Sequence, residues 1–511
     1  MPNQNSERVA KNTGFMFIRM LVVVGVGLFT SREVLRVLGV DDFGIYNLVG
    51  TIVVMFTFLQ AALNNATSRF ITYDLGTGNI SNLRKTFSMS MNTELILAGI
   101  IIILSEIVGV WFIEYKLHIP NGRMKAAQWV FQISLVNFAL NIIRTPFNSL
   151  IIAHEHMNYY ALTSIIEAVL KLIIVYLLII IPSDKLILYA ILQLGVTVAI
   201  FLWMIAYCKH HFNECRYTKY WNKGLLKKLV NYSGWSLIVN MVDIGVGQSI
   251  SIFFNIFYGV AANAAYGVSN QVNTQLNYFI SNFSQSYTPQ IIKSYAAKKL
   301  DYFMKLIYST SKLTFFLYFA VAFPIMINIK FILKVWLVNP PKMADIFLCL
   351  LVGYYIFDSF STPLWNAVHA TGNLKVHQIL MGSIKILNIP ISYILLKHNF
   401  PIYIVLVVYV ILNAVCSVVR IIYLRTLIHL DTIDYFKKVI LQMVKIVIIS
   451  IPIPLAIMYF SNNKLLNFFT TSITFYLLYL PGIYFLALNN KEKELVKDIL
   501  IKIRTNLLGH K

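Results

Sequence analysis

The chain has 511 residues, of which 58% are hydrophobic and only 13% are charged, and its formal net charge is +22. A soluble protein contains about 45–50% apolar and about 25% charged residues. This chain therefore has too little polar surface to cover a water-soluble globule, and the composition excludes that class.

Long apolar runs recur along the whole chain, and a membrane span needs roughly 20 such residues. The run from Leu95 to Phe112, for example, has polar side chains only at Ser105 and Glu106. The pattern predicts an all-α polytopic membrane protein with about fourteen transmembrane helices. The predicted spans lie at about residues 14–38, 43–67, 86–113, 126–152, 157–181, 185–207, 228–257, 261–288, 306–335, 343–367, 375–397, 400–424, 436–459 and 464–488.

The N-terminal segment is polar, and the apolar run behind it continues to Leu38 without a small-residue cleavage site. A signal peptide has a shorter apolar core, so we interpret this run as a retained span. Positive charge predicts the orientation, because cytoplasmic loops are enriched in Lys and Arg. The side that holds both termini collects about 27 of the 43 basic residues, including the 208–228 loop and the tail from Lys491. Both termini are therefore predicted to be cytoplasmic, and the charge is not interpreted as a nucleic-acid surface.

Two stretches about 220 residues apart are nearly the same: VGVGLFTS from Val24 and IGVGQSIS from Ile244. At this constant offset Gly39 matches Gly259, and at an offset of 217 Pro146 matches Pro363. An offset of six spans gives two copies of the same orientation, which is a parallel repeat typical of transporters. The predicted domains are an N-terminal six-helix lobe (1–225), a C-terminal six-helix lobe (226–432) and two additional helices with a basic cytoplasmic tail (433–511).

The repeated glycines and prolines also have a local interpretation. Glycine thins one face of a helix, so that a neighbour approaches closely or the helix bends, and proline bends a helix by removing a backbone donor. We predict that helix packing or bending, rather than ligand contact, is the role of Gly25, Gly27, Gly245, Gly247, Pro146 and Pro363.

The segments LRVLGVDDFGIYNLV and FYGVAANAAYGVSNQV, with the later run from Ser361 to Lys397, resemble the multidrug/oligosaccharidyl-lipid/polysaccharide exporter superfamily. Within it the chain is most similar to the bacterial polysaccharide transporters, which are O-antigen-type flippases. The resemblance implies two lobes around a cavity that opens alternately to each side of the inner membrane. It also implies an undecaprenyl-pyrophosphate-linked oligosaccharide as substrate, destined for O-antigen, capsule or exopolysaccharide.

The resemblance further implies that the partners are the lipid-linked substrate, membrane lipids, and a polysaccharide polymerase with glycosyltransferases. No nucleic acid is expected. The chain has no nucleotide-binding GxxxxGK[ST] loop and no nucleophile–base set, so we predict a non-enzymatic carrier without a bound cofactor. The cation that an ion-coupled cycle would use is H⁺ or Na⁺. The short CKHHFNEC loop from Cys208 has metal-ligand residue types but no standard zinc spacing.

A charge inside a span is costly, so each one is a functional candidate. Among the bases we predict substrate-cavity roles for Arg19, Lys312 and Lys385, although Arg19 and Lys312 lie near span ends and could instead extend to the interface. Glu167 and Lys171 are spaced i,i+4, which favours mutual neutralisation. Lys445, in the thirteenth span, is not assigned a role. Glu94, Glu106 and Asp358 are acids that could pair with these bases.

Asp243 lies mid-span beside the second repeated phrase, and its counterpart in the first copy is Val23. An unpaired carboxylate there could exchange a proton or bind sodium, so we predict ion coupling at Asp243, with a structural ion pair as the alternative. Two other transport functions stay open: a cation-coupled drug antiporter, which needs acids in its cavity, and a peptidoglycan lipid-precursor flippase. A membrane-embedded glycan polymerase needs a larger outer loop than this layout provides.

Overall fold

The computed structural model describes residues 2–54, 57–115, 122–258, 260–337, 341–460, 464–490, 492–494 and 497. Throughout these ranges the regular structure is helical, and no strand occurs in them. This confirms the predicted all-α fold class. Residues 498–511 of the predicted basic tail, together with Lys491 and Gly259, lie outside the described residues.

The first part of the chain forms seven helices before the 212–222 loop. They are α1 Pro2–Val54, α2 Thr57–Thr77, α3 Ile80–Tyr115, α4 Met124–Ile143, α5 Thr145–Ala153, α6 Met157–Ile180 and α7 Lys185–His211. The second part forms α8 Lys223–Tyr258, α9 Val260–Ala296, α10 Leu300–Ile327, α11 Ile329–Leu337, α12 Ala344–Thr371, α13 Lys375–Ile386, α14 Asn388–Lys397 and α15 Ile404–Ile428.

The C-terminal part forms four more α-helices, two of which continue in short π-helical segments. They are α16 Thr432–Tyr435, which continues as the π-helix Phe436–Ile440, α17 Leu441–Ser450, α18 Pro452–Phe460, and α19 Lys464–Gly482, which continues as the π-helix Ile483–Ala487.

Eleven helices of the described chain are long and apolar enough to cross a membrane. They correspond to predicted spans 3–7 and 9–14, which supports a multi-pass membrane protein. The remaining three predicted spans, 14–38, 43–67 and 261–288, fall in α1, α2 and α9. The first contributes a shorter apolar helix, Asn12–Gly27, whereas α2 and α9 contain many Asn, Gln, Ser and Thr residues.

The helix boundaries repeat along the chain as the sequence does. The starts of α3 and α10 are 220 residues apart, and so are those of α4 and α12, while α6 and α13 start 218 residues apart. Within α1, Gly39 adopts a left-handed φ of 79°, which a residue with a side chain rarely adopts, and divides the helix at a kink. The matching position in the sequence is Gly259, which lies outside the described residues.

The chain divides into two compact units. The N-terminal unit contains residues Gly14–Met241 and Ile292–Lys298, and the C-terminal unit contains Met1–Thr13, Val242–Ile291 and Lys299–Lys511. Boundaries between these units fall inside α1, α8 and α9, and they follow spatial compactness rather than the sequence repeat. The two predicted six-helix lobes, 1–225 and 226–432, are defined from the sequence repeat, and they stay a prediction.

Each unit has its own apolar core. In the N-terminal unit Phe87 and Phe147 pack edge to face with ring centroids 5.5 Å apart, within a buried cluster that α6 and α7 complete. In the C-terminal unit Phe254 stacks on Phe347 at 4.8 Å, within a cluster that also contains Tyr318. These cores hold the helices that carry the polar sites described next.

Candidate functional site

A cavity of about 420 Å³ opens within the N-terminal unit. It is lined by α1, by the junction between α4 and α5, and by α6 and α7. Its lining includes three basic side chains and one acidic side chain, which gives a formal charge of +2. These four are Arg19, Arg144, Lys171 and Glu167, and the neutral polar lining consists of Thr30, Asn148, Tyr159, Tyr160, Thr163, Ser164, Tyr189 and Gln193.

Glu167 bridges two of the three bases. Its Oε1 accepts a hydrogen bond from Nζ of Lys171 at 2.7 Å, and its Oε2 accepts one from Nη1 of Arg144 at 3.2 Å. Glu167 and Lys171 lie one turn apart on α6, as their i,i+4 spacing predicts. Glu167 and Lys171 therefore neutralise each other as predicted. Arg144 adds a second positive charge beside Glu167, which the i,i+4 spacing does not predict.

Arg144 is positioned by a break in the fourth span. It lies between the end of α4 and the start of α5, where Pro146 occupies the first turn and cannot donate to the preceding helix. Within the described chain, the buried Nε of Arg144 has no hydrogen-bond partner. Arg144 is not among the residues predicted above, although its position inside the predicted span 126–152 is a signal of the same kind.

Arg19 reaches the same cavity from α1. Its guanidinium carbon lies 4.7 Å from the centroid of the Tyr160 ring on α6. The negative face of an aromatic ring attracts a cation by about 0.5–2 kcal/mol and leaves the edge of the guanidinium able to donate. The cavity thus brings Arg19 together with Arg144 and Lys171.

A second group of charges lies in the C-terminal unit. Nζ of Lys385 donates a hydrogen bond to Oδ1 of Asp243 at 2.6 Å, and their side chains are 15% and 43% exposed. Lys385 is in the last turn of α13, where the unpaired helix carbonyls favour a cation. The predicted ion-coupling residue and a predicted cavity base are therefore an ion pair in this conformation.

Arg420 on α15 is a further buried cation that the sequence reasoning missed. It is 8% exposed, its Nε donates to Nε2 of His377 at 3.1 Å, and its Nη1 donates to the carbonyl and the hydroxyl of Ser361. Trp365 lies beneath it, and Asp358 interacts electrostatically with both Arg420 and Lys385. Its position in the predicted span 400–424 was the available signal.

Lys312 lies in a different environment from the other two predicted cavity bases. It is 5% exposed, and its Nζ donates to Oε2 of Glu492 at 2.9 Å and to the carbonyl of Ala487 at 3.2 Å. These contacts tie α10 to the end of the last helix. We therefore leave Lys312 out of the site proposed below.

The acids Glu94 and Glu106 contact neutral side chains. Oε1 of Glu94 accepts from Thr67 at 3.1 Å, and Oε2 of Glu106 accepts from Gln132 at 3.2 Å. Glu94 is fully buried, and its Oε2 has no hydrogen-bond partner within the described chain. Lys445 is exposed on α17.

The four repeated glycines have open surroundings. A Cβ atom added at Gly25, Gly27, Gly245 or Gly247 would meet no heavy atom within 4 Å among the described residues. Close packing against a neighbour therefore does not require glycine there in this conformation, and bending stays a prediction. Pro146 lies at the break before α5, and Pro363 lies inside α12.

The His- and Cys-rich loop is packed rather than open. His154 stacks on Phe212 with ring centroids 4.2 Å apart and hydrogen bonds to Glu214, and Cys208 and Cys215 are buried free thiols. In the part of the chain that the structure describes, no three His, Cys, Asp or Glu side chains are grouped to hold a metal ion.

Family models match most of the chain. The model described as "Polysaccharide biosynthesis protein" matches residues 9–294, which is more than half of the sequence, and the MatE model matches residues 236–394. The chain belongs to the polysaccharide biosynthesis protein family. This membership confirms the predicted superfamily, whose proteins are membrane exporters and flippases rather than enzymes. A search of curated proteins found no match.

Solved structures share the fold. An outward-facing multidrug resistance MATE family transporter aligns with a TM-score of 0.71 at 14% identity, covering 84% of this chain and 98% of that chain. A MATE in the straight conformation aligns at 0.70 with 15% identity, covering 84% and 96%. A MOP superfamily transporter from Pyrococcus furiosus Vc1 (DSM3638), whose reverse polarity of the binding pocket suggests a different function, aligns at 0.69 with 14% identity, covering 82% and 96%.

Proposed function

We propose that this protein is a bacterial inner-membrane flippase that translocates an undecaprenyl-pyrophosphate-linked oligosaccharide by alternating access. The observation that carries the proposal is the cavity of the N-terminal unit, where Arg19, Arg144 and Lys171 outnumber the single acid Glu167. Intramembrane charges are expensive, so an excess of three bases over one acid calls for an anionic ligand. For a member of a polysaccharide biosynthesis family, a lipid-linked sugar is a fitting substrate, and its pyrophosphate is the anion that would bind these bases.

The donor chemistry of the cavity suits a pyrophosphate. Arginine presents a planar fork of N–H donors that matches two phosphate oxygens, whereas lysine acts as a compact point charge. A bound pyrophosphate would compete with Glu167 for Arg144, whose Nε has no partner in the described chain. The cavity would thus exchange one internal ion pair for contacts with the substrate and shield the anion from hydrocarbon.

The membrane potential favours export. A pyrophosphate with roughly two negative charges gains about 4–5 kcal/mol per 100 mV on leaving an inside-negative cell. After release of the substrate, the empty carrier must return to its cytoplasm-facing conformation. We propose that binding of H⁺ or Na⁺ at Asp243 assists this step. Binding of the cation would release Lys385 from its 2.6 Å contact.

The proposed orientation places both termini and the 208–228 loop in the cytoplasm, because most basic residues lie on that side. The proposed partners are membrane lipids, the glycosyltransferases that assemble the substrate on the cytoplasmic face, and the polymerase that extends it on the other.

The test is glycan export by cells in which the native gene is replaced by variants. R19A, R144A and K171A should each reduce export at least about tenfold, because each removes a charged hydrogen-bond donor worth about 1.5–3 kcal/mol. K330A is the matched control, since Lys330 is a base of which 85% is exposed and which lies outside the cavity. Normal export by the double variant R19A/R144A, expressed at wild-type level, would refute the proposal.

A second candidate is a cation-coupled drug antiporter. The observation that favours it is the pair of acids Asp243 and Asp358 in the segment that the MatE model matches. A drug antiporter should protect cells from toxic organic cations, and the protection should be lost in D243N or D358N. Rescue of cells that lack their own peptidoglycan lipid-precursor flippase would instead identify that alternative substrate.

A further inference from the structure

Helix α9 is polar over most of its length but carries no charge before its last turn. Residues 260–292 contain no Asp, Glu, Lys or Arg, yet they include nine Asn or Gln residues. A helix of this composition among apolar spans requires an explanation, because each unpaired amide is costly to place in hydrocarbon.

One face of α9 is used to anchor the helix within the C-terminal unit. The hydroxyl of Ser269 donates to the carbonyl of Ala344 at 2.9 Å. Further along, the amide of Asn366 donates to the hydroxyls of Ser284 and Thr288 at 3.0 and 2.8 Å. These contacts pair the hydroxyls of Ser269, Ser284 and Thr288 on the packed side of the helix.

The opposite face remains exposed, and it is also polar. Its residues recur with helical spacing over fifteen positions, which is a rise of about 21 Å along the helix. They are Gly267, Asn270, Gln271, Thr274, Gln275, Tyr278 and Ser281, and we call this face the amide stripe. In the described part of the chain the side-chain amides of Asn270, Gln271 and Gln275 make no hydrogen bond.

Lipid cannot cover the amide stripe, since polar side chains at membrane depth face protein or a water-filled cavity. The stripe also does not suit an ionic ligand, because it offers no charge to balance one. Its amides each present both donors and acceptors, and Tyr278, which is 46% exposed, adds an aromatic ring with a hydroxyl. Sugars have the matching chemistry: uncharged rings covered with hydroxyls that both donate and accept.

We infer that the amide stripe of α9 binds the uncharged sugars of the translocated glycan. This inference rests on the proposed function, which supplies the glycan, and it assigns the sugars to a different surface from that of the pyrophosphate. The stripe lies next to the charged group of the same unit, because Asn277 donates to the hydroxyl of Tyr355 at 3.3 Å and Tyr355 is one turn from Asp358 on α12.

The test compares two probes on purified protein in nanodiscs. One is undecaprenyl pyrophosphate without sugar, and the other is the glycosylated lipid extracted from cells that naturally carry the protein. Wild-type protein should bind the glycosylated lipid at least about tenfold more tightly, since several neutral hydrogen bonds contribute. The variant N270A/Q271A/Q275A should bind bare lipid as wild type does and lose that preference. The control I252A/I256A, on exposed apolar positions of α8, should keep it.

The outcomes separate the two proposals. If the triple variant keeps the full preference, or if wild-type protein has none while binding both lipids, the stripe inference is wrong and the proposed function stands. If wild-type protein binds neither lipid, the proposed function fails and the inference with it. If the triple variant also fails to bind the bare lipid, the single variants N270A, Q271A and Q275A are measured instead. A full preference for the glycosylated lipid in all three single variants overturns the inference.

Discussion

Nζ of Lys385 lies 2.6 Å from Oδ1 of Asp243, so two charges from α13 and α8 neutralise each other inside the C-terminal unit. In the first copy of the repeat Val23 corresponds to Asp243, so the first copy has no acid at this position. The pair is therefore an asymmetric feature of the second copy.

Removing one member of this pair should cost more than removing both. We expect D243N or K385M alone to lower the free energy of unfolding by about 1.5–3 kcal/mol, because each leaves a charge without its partner. The double variant D243N/K385M should recover most of that loss in thermal unfolding of the detergent-solubilised protein. If the pair also serves ion coupling, the double variant should be stable but lose the dependence of transport on H⁺ or Na⁺. Additive losses in the double variant would contradict the pairing.

Lys312 should behave as a structural residue. K312M leaves Glu492 without its base, and breaking a buried ion pair costs about 3–5 kcal/mol. We expect a lower thermal midpoint that K312M/E492Q partly restores, with unchanged affinity for undecaprenyl pyrophosphate. If K312M instead had normal stability but bound the lipid more weakly, the result would support the predicted substrate-cavity role of Lys312.

Gly76 should not tolerate a side chain. A Cβ at this position would lie 2.7 Å from the Cα of Lys293 and 3.0 Å from the Cβ of Ala296. Because the first contact is with backbone, G76A should destabilise the N-terminal unit by about 1–3 kcal/mol. G99A is the matched control: Gly99 is also in a helix, nothing described lies within 4 Å of its added Cβ, and alanine should be neutral or stabilising. Equal thermal midpoints for both variants would contradict this close approach.

Acid should destabilise the N-terminal unit through His156 and Glu214. Burial lowers the pKa of His156 from its ordinary 6.5, and the charges of His154, His211 and Lys293 lower it further. Burial alone would raise the pKa of Glu214, but its hydrogen bond with His154, a backbone donor and the charges of His154 and Arg84 hold that pKa below 4.5.

Lowering the pH decreases the stability of the folded protein through both His156 and Glu214. Below pH 6.5 the unfolded chain binds a proton at His156 before the folded protein does, so stability falls as the pH decreases. The contribution of Glu214 is complete above about pH 4.5 and is lost as the pH falls through the lowered pKa. Thermal midpoints measured from pH 8 to pH 4 should therefore decline from about pH 6.5, and H156Q should remove the first part of the decline. An H156Q profile that parallels wild type would show that another group is responsible.

Much of the fold followed from local sequence. Span length, apolar composition and the prolines predicted helices in the right places, because each depends only on neighbours along one helix. The predicted boundary between the spans 14–38 and 43–67 likewise coincides with the kink at Gly39 in α1. The boundary errors arose where a predicted span divides into two helices, as at Arg144 between α4 and α5.

The sites were less predictable for a physical reason. The i,i+4 pair of Glu167 and Lys171 could be predicted, since both residues lie on one helix. The contacts of Arg144, Lys385 and Lys312 could not be, because their partners come from other helices and the sequence does not state which side chains face each other.

The sequence by itself determined that this is a helical membrane protein with an internal repeat, because hydrocarbon imposes length and polarity on every span. Only the tertiary structure decided which intramembrane charges are already balanced and which ones line a cavity. That distinction depends on distances of a few ångströms between separate helices, over which the electrostatic interaction energy changes from negligible to dominant.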